Sequence, residues 1–278
     1  MKVLITGANG QLGRELAKQY REKNDVELIL TDVEDLDITD VNVVYEFINR
    51  NRPEVIINCA AHTAVDKCEE EVDMAYKVNT IGPKNLASAA NSIGAEIVQV
   101  STDYVFDGEV NKALIEFDEV NPQTVYGKTK LEGERIVSKL NPKHYIVRTA
   151  WLYGDGNNFV KTMIKLSETN KTIKVVNDQN GTPTSTVDLA RVIIGLVENK
   201  NYGLFHATCK GECTWYDLAK ETFRLKGIDV EVIPCTTNEF PRPAKRPKYS
   251  VLRNYMLEIT TGDITRHWKE SLADYLGK

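Results

Sequence analysis

A short apolar strand, Val3–Thr6, runs straight into Gly7-Ala8-Asn9-Gly10-Gln11-Leu12-Gly13, and then into a segment with Leu12, Leu16, Ala17 and Tyr20 at helical spacing. This strand, glycine turn and helix narrow the possible folds more than any other feature of the chain. Glycine permits a tight turn and close backbone approach to a ligand, and the helix that follows offers free N–H groups and the positive end of its dipole. Gly7, Gly10 and Gly13 are therefore the candidate pyrophosphate cradle of a dinucleotide-binding sheet. Their G-x-x-G-x-x-G spacing differs from the commoner G-x-G-x-x-G, so the loop alone does not specify the chemistry.

The alternation continues. Strands are predicted at Glu27–Leu30, Glu54–Asn58, Glu96–Ser101 and His144–Thr149, and helices at Gln11–Lys23, Val41–Arg50, Val65–Lys77, Pro83–Ile93 and Tyr126–Leu140. Strands separated by helices imply right-handed crossovers, hence an α/β fold with a Rossmann-type, doubly wound parallel sheet. After Trp151 the pattern loosens, and Gly154, Gly156, Gly181, Pro183, Pro234, Pro241, Pro243 and Pro247 cut the chain into short elements. Residues 1–150 are expected to form the dinucleotide-binding domain and residues 151–278 mainly a smaller substrate-binding lobe. A helical segment near 185–200 is expected to return to the first domain.

A chain of 278 residues with 42% apolar content can bury such a core. A net charge of −5 and a pI near 5.6 argue against a nucleic-acid partner. Arg242, Lys245, Arg246 and Lys248 form a local basic cluster, suited either to a phosphate-bearing small molecule or to solvent. The five cysteines are scattered, without C-x-x-C spacing, which favours a reducing compartment and gives no zinc site. The chain opens on a strand rather than a leader, and no apolar run reaches membrane-spanning length. A cytoplasmic protein without membrane contact is expected.

The candidate chemistry gathers at strand ends. Asp32 closes the second strand, where a carboxylate accepts hydrogen bonds from ribose hydroxyls and repels a 2′-phosphate. Asp37 and Ile38 follow, placed to flank an adenine. Asn58-Cys59-Ala60-Ala61-His62-Thr63 ends the third strand with small residues that admit a ligand near the backbone. Ser101, Thr102 and Asp103 end the fourth; side chains alternate along a strand, so only one of the two hydroxyls faces a site there. Tyr126 and Lys130 then stand at i and i+4, on one face of a helix. A phenol beside a fixed cation is expected to exchange its proton near neutral pH, because the cation favours phenolate. Glycine loop, hydroxyl and Tyr/Lys pair, in that order, form the apparatus of a short-chain dehydrogenase.

The sequence resembles the dTDP-4-dehydrorhamnose reductases, atypical extended short-chain dehydrogenases, along nearly its whole length. The matching segments are GANGQLG (7–13), NCAAHTAVDKCE (58–69), STDYVFDG (101–108), NPQTVYGKTKLEGE (121–134), RTAWLYG (148–154), NNF (157–159), NDQNGTPT (177–184) and RPKYSVL (246–252). The resemblance implies reduction of the 4-keto group of a dTDP-6-deoxyhexulose to dTDP-L-rhamnose, with NADH or NADPH. It implies cofactor contacts at Gly10, Gln11, Leu12, Asp32, Asp37, Ile38, Ala61, His62, Thr63, Tyr126 and Lys130. On the sugar side it implies Thr102, Asp103, Tyr126, Trp151 and Asn158, with Arg246 and Ser250 closing over the diphosphate. Catalysis would rest on Tyr126, Lys130 and Thr102. Where dehydratases of the wider family carry an acidic residue after Thr-Asp, this chain has Tyr104, which disfavours dehydration. The regulatory subunit of methionine adenosyltransferase also resembles these reductases, and a relative acting on another dTDP-4-keto-6-deoxyhexose would read alike. Some members are metal-bridged dimers; this chain shows no independent metal-ligand spacing, so no metal is expected, and a homodimer is left open.

Overall fold

The computed structural model describes residues 1–277. In chain order its main elements are β1 (Lys2–Thr6), α1 (Gln11–Arg21), β2 (Glu27–Thr31), α2 (Val41–Asn51), β3 (Val55–Asn58), α3 (Val65–Glu70), α4 (Gly82–Ser92), β4 (Glu96–Thr102), α5 (Val125–Leu140), β5 (His144–Thr149), α6 (Phe159–Ser167), α7 (Thr186–Asn199), β6 (Gly203–His206) and α8 (Trp215–Lys226). The six strands form one sheet in the order β6-β5-β4-β3-β1-β2, every neighbouring pair parallel. Both faces are covered, so the strands are apolar along most of their length. Val3, Ile5, Val55, Ile57, Val98, Tyr145 and Val147 pack on α1 and α7. The alternate residues Leu4, Ile56, Ile97 and Ile146 pack on α2, α4 and α5. The strand order reverses between β1 and β3, and a crevice opens there at the carboxyl ends, as it does in open α/β sheets generally.

Two local features depart from the expected pattern. The helix predicted over Val65–Lys77 is broken at Glu71, with φ −104° and ψ 49°; a helical turn (Val72–Tyr76) and a π-helical segment (Lys77–Ile81) then lead into α4. The sheet also gains a sixth strand, β6, which follows the returning helix α7 and pairs with β5.

The remaining chain forms a lobe on the carboxyl edge. Its parallel pair Thr172–Val176 and Glu231–Cys235 is covered by α6 and α8 through Met163, Ile173, Val175, Ala219 and Phe223. Residues 240–253 then strap the lobe to the sheet domain. Asn180 N donates to Lys248 O and Ser250 N to Asn180 O, both at 2.8 Å, and Leu114 N donates to Val251 O at 2.9 Å.

Candidate active site

The first βα turn is packed without spare room. Gly7 has φ +64°, and a Cβ on it would lie 2.7 Å from Ala60 N; one on Gly13 would lie 2.4 Å from the Gly7 carbonyl oxygen. Gly10 is the N-cap of α1 and brings no side chain to cap it, and no acid occupies the helix's first turn. The terminal N–H groups of an eleven-residue helix thus face the crevice uncapped by any side chain. The Gln11 side chain turns aside, its Oε1 accepting from Gly154 N at 3.0 Å and Asn158 Nδ2 at 3.1 Å. At the tip of β2 the Asp32 carboxylate accepts from Asn9 N (3.0 Å) and Val33 N (2.9 Å).

A cleft of about 1320 Å³ runs from this turn, along the strand ends and into the lobe. Gly7, Gly10, Gln11, Leu12, Gly13, Asp32, Ala61, His62 and Thr63 line its one end, and Thr102, Asp103, Tyr126, Lys130, Trp151, Arg246 and Ser250 line the rest. Three expected residues stand outside it. Asp37 spends Oδ1 on Thr39 N and Oγ1, at 2.8 and 2.7 Å. Ile38 is buried in the sheet–helix core, its methyl occupying the space that a Cβ on Gly82 would need. Asn158 caps α6 through Lys161 N (3.0 Å), and its Nδ2 serves Gln11 and Gly154 O. Asn158 is thus a joint between lobe and glycine loop rather than part of the cleft wall.

At the end of β4 the alternation separates the two hydroxyls. Ser101 Oγ donates to Glu134 Oε1, beneath the sheet edge, while Thr102 Oγ1 donates to Asp103 Oδ1 at 3.0 Å. Glu134 is also held by Arg148, through Nε at 2.9 Å and Nη2 at 2.7 Å, both side chains being almost wholly buried. Lys130 Nζ donates to the Val100 carbonyl at 2.6 Å. Burial lowers the Lys130 ammonium to about 8, against the opposing pull of Glu134. Burial raises the Tyr126 phenol above its ordinary value, with the Thr102 hydroxyl opposing the rise. The expectation of a phenol drawn toward neutral pH by its cation is therefore corrected: the ammonium is committed to Val100, and desolvation wins. Tyr126 is a neutral phenol, the form that donates a proton. Burial likewise lifts the Asp103 carboxyl to about 6, opposed by the Ser250 and Thr102 hydroxyls, and its Oδ2 has no protein partner.

Asn79 carries no local sequence signal. From the π-helical segment its Oδ1 accepts from His62 N (2.8 Å), and its Nδ2 donates to His62 O and Thr129 Oγ1, each at 3.1 Å. It thereby ties the loop after β3 to the helix that carries Tyr126 and Lys130; π segments recur where such geometry is needed. Trp151 has φ +48° and stacks on Trp215, centroids 3.5 Å apart and planes 7° apart. The basic cluster is paired rather than free: Asp66 meets Arg246 at 2.9 Å and Arg242 at 3.9 Å, and Glu109 meets Lys245 at 2.7 Å and Lys248 at 3.7 Å.

The family model for the RmlD substrate binding domain matches residues 1–278. A dTDP-4-dehydrorhamnose reductase from Streptomyces griseus is 44% identical over 279 aligned positions, covering 98% of this chain and 91% of that one. The crystal structure of a dTDP-4-dehydrorhamnose reductase from Clostridium acetobutylicum is 72% identical and superposes with a TM-score of 0.99, over 100% of this chain and 99% of that one. One from Bacillus anthracis, solved in complex with NADP, is 42% identical with a TM-score of 0.95, over 99% and 98% of the two chains. Among the described residues no helix is long and apolar enough to cross a membrane.

Proposed function

The chain belongs to the dTDP-4-dehydrorhamnose reductase family, and on that premise we propose that it reduces the 4-keto group of dTDP-4-dehydro-L-rhamnose to give dTDP-L-rhamnose, with NADPH or NADH. One observation carries the reading: a neutral, partly buried phenol at Tyr126 shares a single cleft with a glycine turn built for a dinucleotide.

The residues present fit the cofactor. The uncapped N-terminus of α1 suits its diphosphate, and the Asp32 carboxylate suits a ribose. When bound, the nicotinamide supplies hydride to the sugar C4. The chain's own work is to deliver the proton and hold the geometry. Tyr126 gives its phenolic proton to the C4 oxygen as negative charge develops there. Thr102, whose hydroxyl lies against the same phenol, hydrogen-bonds that oxygen. Lys130, one helical turn away, offsets the charge left on the phenolate, and its anchorage on Val100 keeps it there. Glu134 on α5 holds both Ser101 on β4 and Arg148 on β5, so Thr102 and Tyr126 keep their relative placement. Tyr104, edge-on to Tyr126 at 5.5 Å, fills the place after Thr-Asp with a ring and not an acid. That arrangement favours reduction over loss of water.

The test is turnover. Purified protein mixed with NADPH or NADH and the dTDP-4-keto-6-deoxy sugar should oxidise the cofactor and yield dTDP-L-rhamnose. No oxidation with this sugar, and none across a panel of related dTDP-4-keto sugars, would overturn the reading.

A further inference from the structure

Trp151 lies in a conformation that aromatic residues rarely adopt. Its φ of +48° is in the left-handed region, where a bulky side chain is an outlier that persists only when its surroundings over-determine it. Two constraints converge on this indole. Trp215, the first residue of α8 in the lobe, lies face to face with it, 3.5 Å between centroids and 7° between planes. Free aromatic pairs prefer offset or edge-on geometries, so packing imposes this coplanar arrangement. On another side Gly181 leaves no space for a side chain: a Cβ there would sit 2.4 Å from Trp151 Cε2. Trp215 is itself fixed, with Phe159 at 4.6 Å and its Nε1 donating to Gln179 Oε1 at 3.2 Å. Both indoles line the cleft, Trp151 from the end of the catalytic sheet and Trp215 from the lobe.

From this we infer that Trp215 is a positioning residue for the sugar: by stacking on Trp151 it holds that indole in its left-handed pose and sets the face it presents beside Thr102 and Tyr126. The inference rests on the proposed function and on the sugar contact at Trp151 that the family resemblance implies. It gives the lobe a second task. Besides closing the cleft, the lobe sets the shape of the sugar end, through a contact that reaches across to the sheet.

The experiment combines a spectroscopic signature with a binding split. Two stacked indoles at this separation couple excitonically, and where their in-plane transition moments are crossed wild-type protein shows a far-ultraviolet circular-dichroism couplet. Trp215→Leu and Trp151→Leu should each abolish it, and Trp268→Phe, at a buried tryptophan outside the pair, should keep it. Trp215→Leu should weaken dTDP-L-rhamnose binding and raise the sugar KM by about three- to tenfold, the worth of an aromatic pair. Binding of dTDP alone and of the cofactor should not change. Trp215→Phe should recover part of the loss. Gly181→Ala, which pushes the indole from the other side, should weaken sugar binding in the same direction. A Trp215→Leu variant that binds dTDP-L-rhamnose as tightly as wild type overturns the inference. So does equal weakening of dTDP, cofactor and dTDP-rhamnose, which would mark Trp215 as scaffold alone. Failure of the functional reading appears separately, as wild type that does not turn over while the couplet and the binding of dTDP and dTDP-rhamnose remain measurable.

Discussion

At the sheet edge Lys130 and Asp103 are buried and Tyr126 is partly buried, and each has its proton affinity shifted mainly by burial. At the strap, Arg242, Lys245 and Lys248 keep at least half of their side chains in solvent, Arg246 keeps about a fifth, and the four share two carboxylates, Asp66 and Glu109. The difference separates two tasks. Desolvation tunes which atom holds a proton, and so belongs where the chemistry is. Ion pairs near the surface are individually weak and exchangeable, and so suit the role proposed for the strap, in which a ligand's phosphate displaces a carboxylate.

The largest effect should come from breaking the buried end. Tyr126→Phe removes the proton donor and leaves the ring, and should lower kcat by about 10²-fold or more while the cofactor Kd holds. Near-normal single-turnover rates in this variant would remove Tyr126 from the role.

Lys130 gives the second break, and it has a pH signature. Unfolded, this lysine keeps its proton to about 10.5; folded, it loses it near 8. Between those values the unfolded chain binds more protons, so the lysine's contribution to stability rises with pH over the window in which the ammonium is lost. Turnover should therefore fall through about pH 8 while denaturation shows wild type gaining on Lys130→Met as pH climbs further. Asp103 runs oppositely: its carboxyl is raised to about 6, the folded chain binds more protons below that value, and stability is lost as pH rises through it. A stability difference between wild type and Lys130→Met that is flat in pH would mean that the ammonium is not buried as described.

The strap should respond more gently. Arg246→Ala removes a guanidinium suited to two parallel bonds with phosphate, and should raise the sugar-nucleotide KM by roughly tenfold at low salt, less at high salt. The cofactor Kd should hold. Equal shifts in both constants would mean that Arg246 serves only to fasten the strap to Asp66.

The two regions also differ in how far the sequence discloses them. Around the sheet edge, the glycine turn, the strand ends and the Tyr126/Lys130 spacing are local patterns, and the first five strands lie where alternation places them. What escapes notice depends on partners distant in the chain. Asn79 is an unremarkable polar residue until its amide is seen bridging His62 and Thr129. Glu134 reads as an exposed helical acid until Arg148 and Ser101 close on it. The strand Gly203–His206 is too short to signal itself and exists because β5 offers an edge. Trp215 and Asn158 in the lobe, and Asp66 on α3, all act through contacts between segments far apart in sequence, which no periodicity encodes. Asp37 and Ile38 lie outside the cleft lining for the converse reason: their neighbourhood in sequence to Asp32 says nothing about a turn that points one side chain at Thr39 and buries the other.

The smallest expected effect tests whether an exposed carboxylate can discriminate at all. Asp32 stands at the open end of the cleft, where the 2′-phosphate of NADPH would bring roughly two negative charges beside it. Unscreened repulsion of that kind reaches more than about 1 kcal/mol, near tenfold in affinity. Two observations reduce it here. The carboxylate already accepts two backbone N–H bonds, from Asn9 and Val33, which draw off part of its charge. The site is also solvent-facing, and salt screens exposed charges over about 8–10 Å. Both cofactors should therefore serve, NADH modestly better, and Asp32→Ala should move the ratio of kcat/KM values toward NADPH by less than about tenfold. The shift should shrink as ionic strength rises, unlike anything at Tyr126 or Lys130. A ratio that does not move, or a wild type with strong preference for NADPH, would show that Asp32 does not read the ribose and that its work is to hold Asn9 and the glycine turn in place.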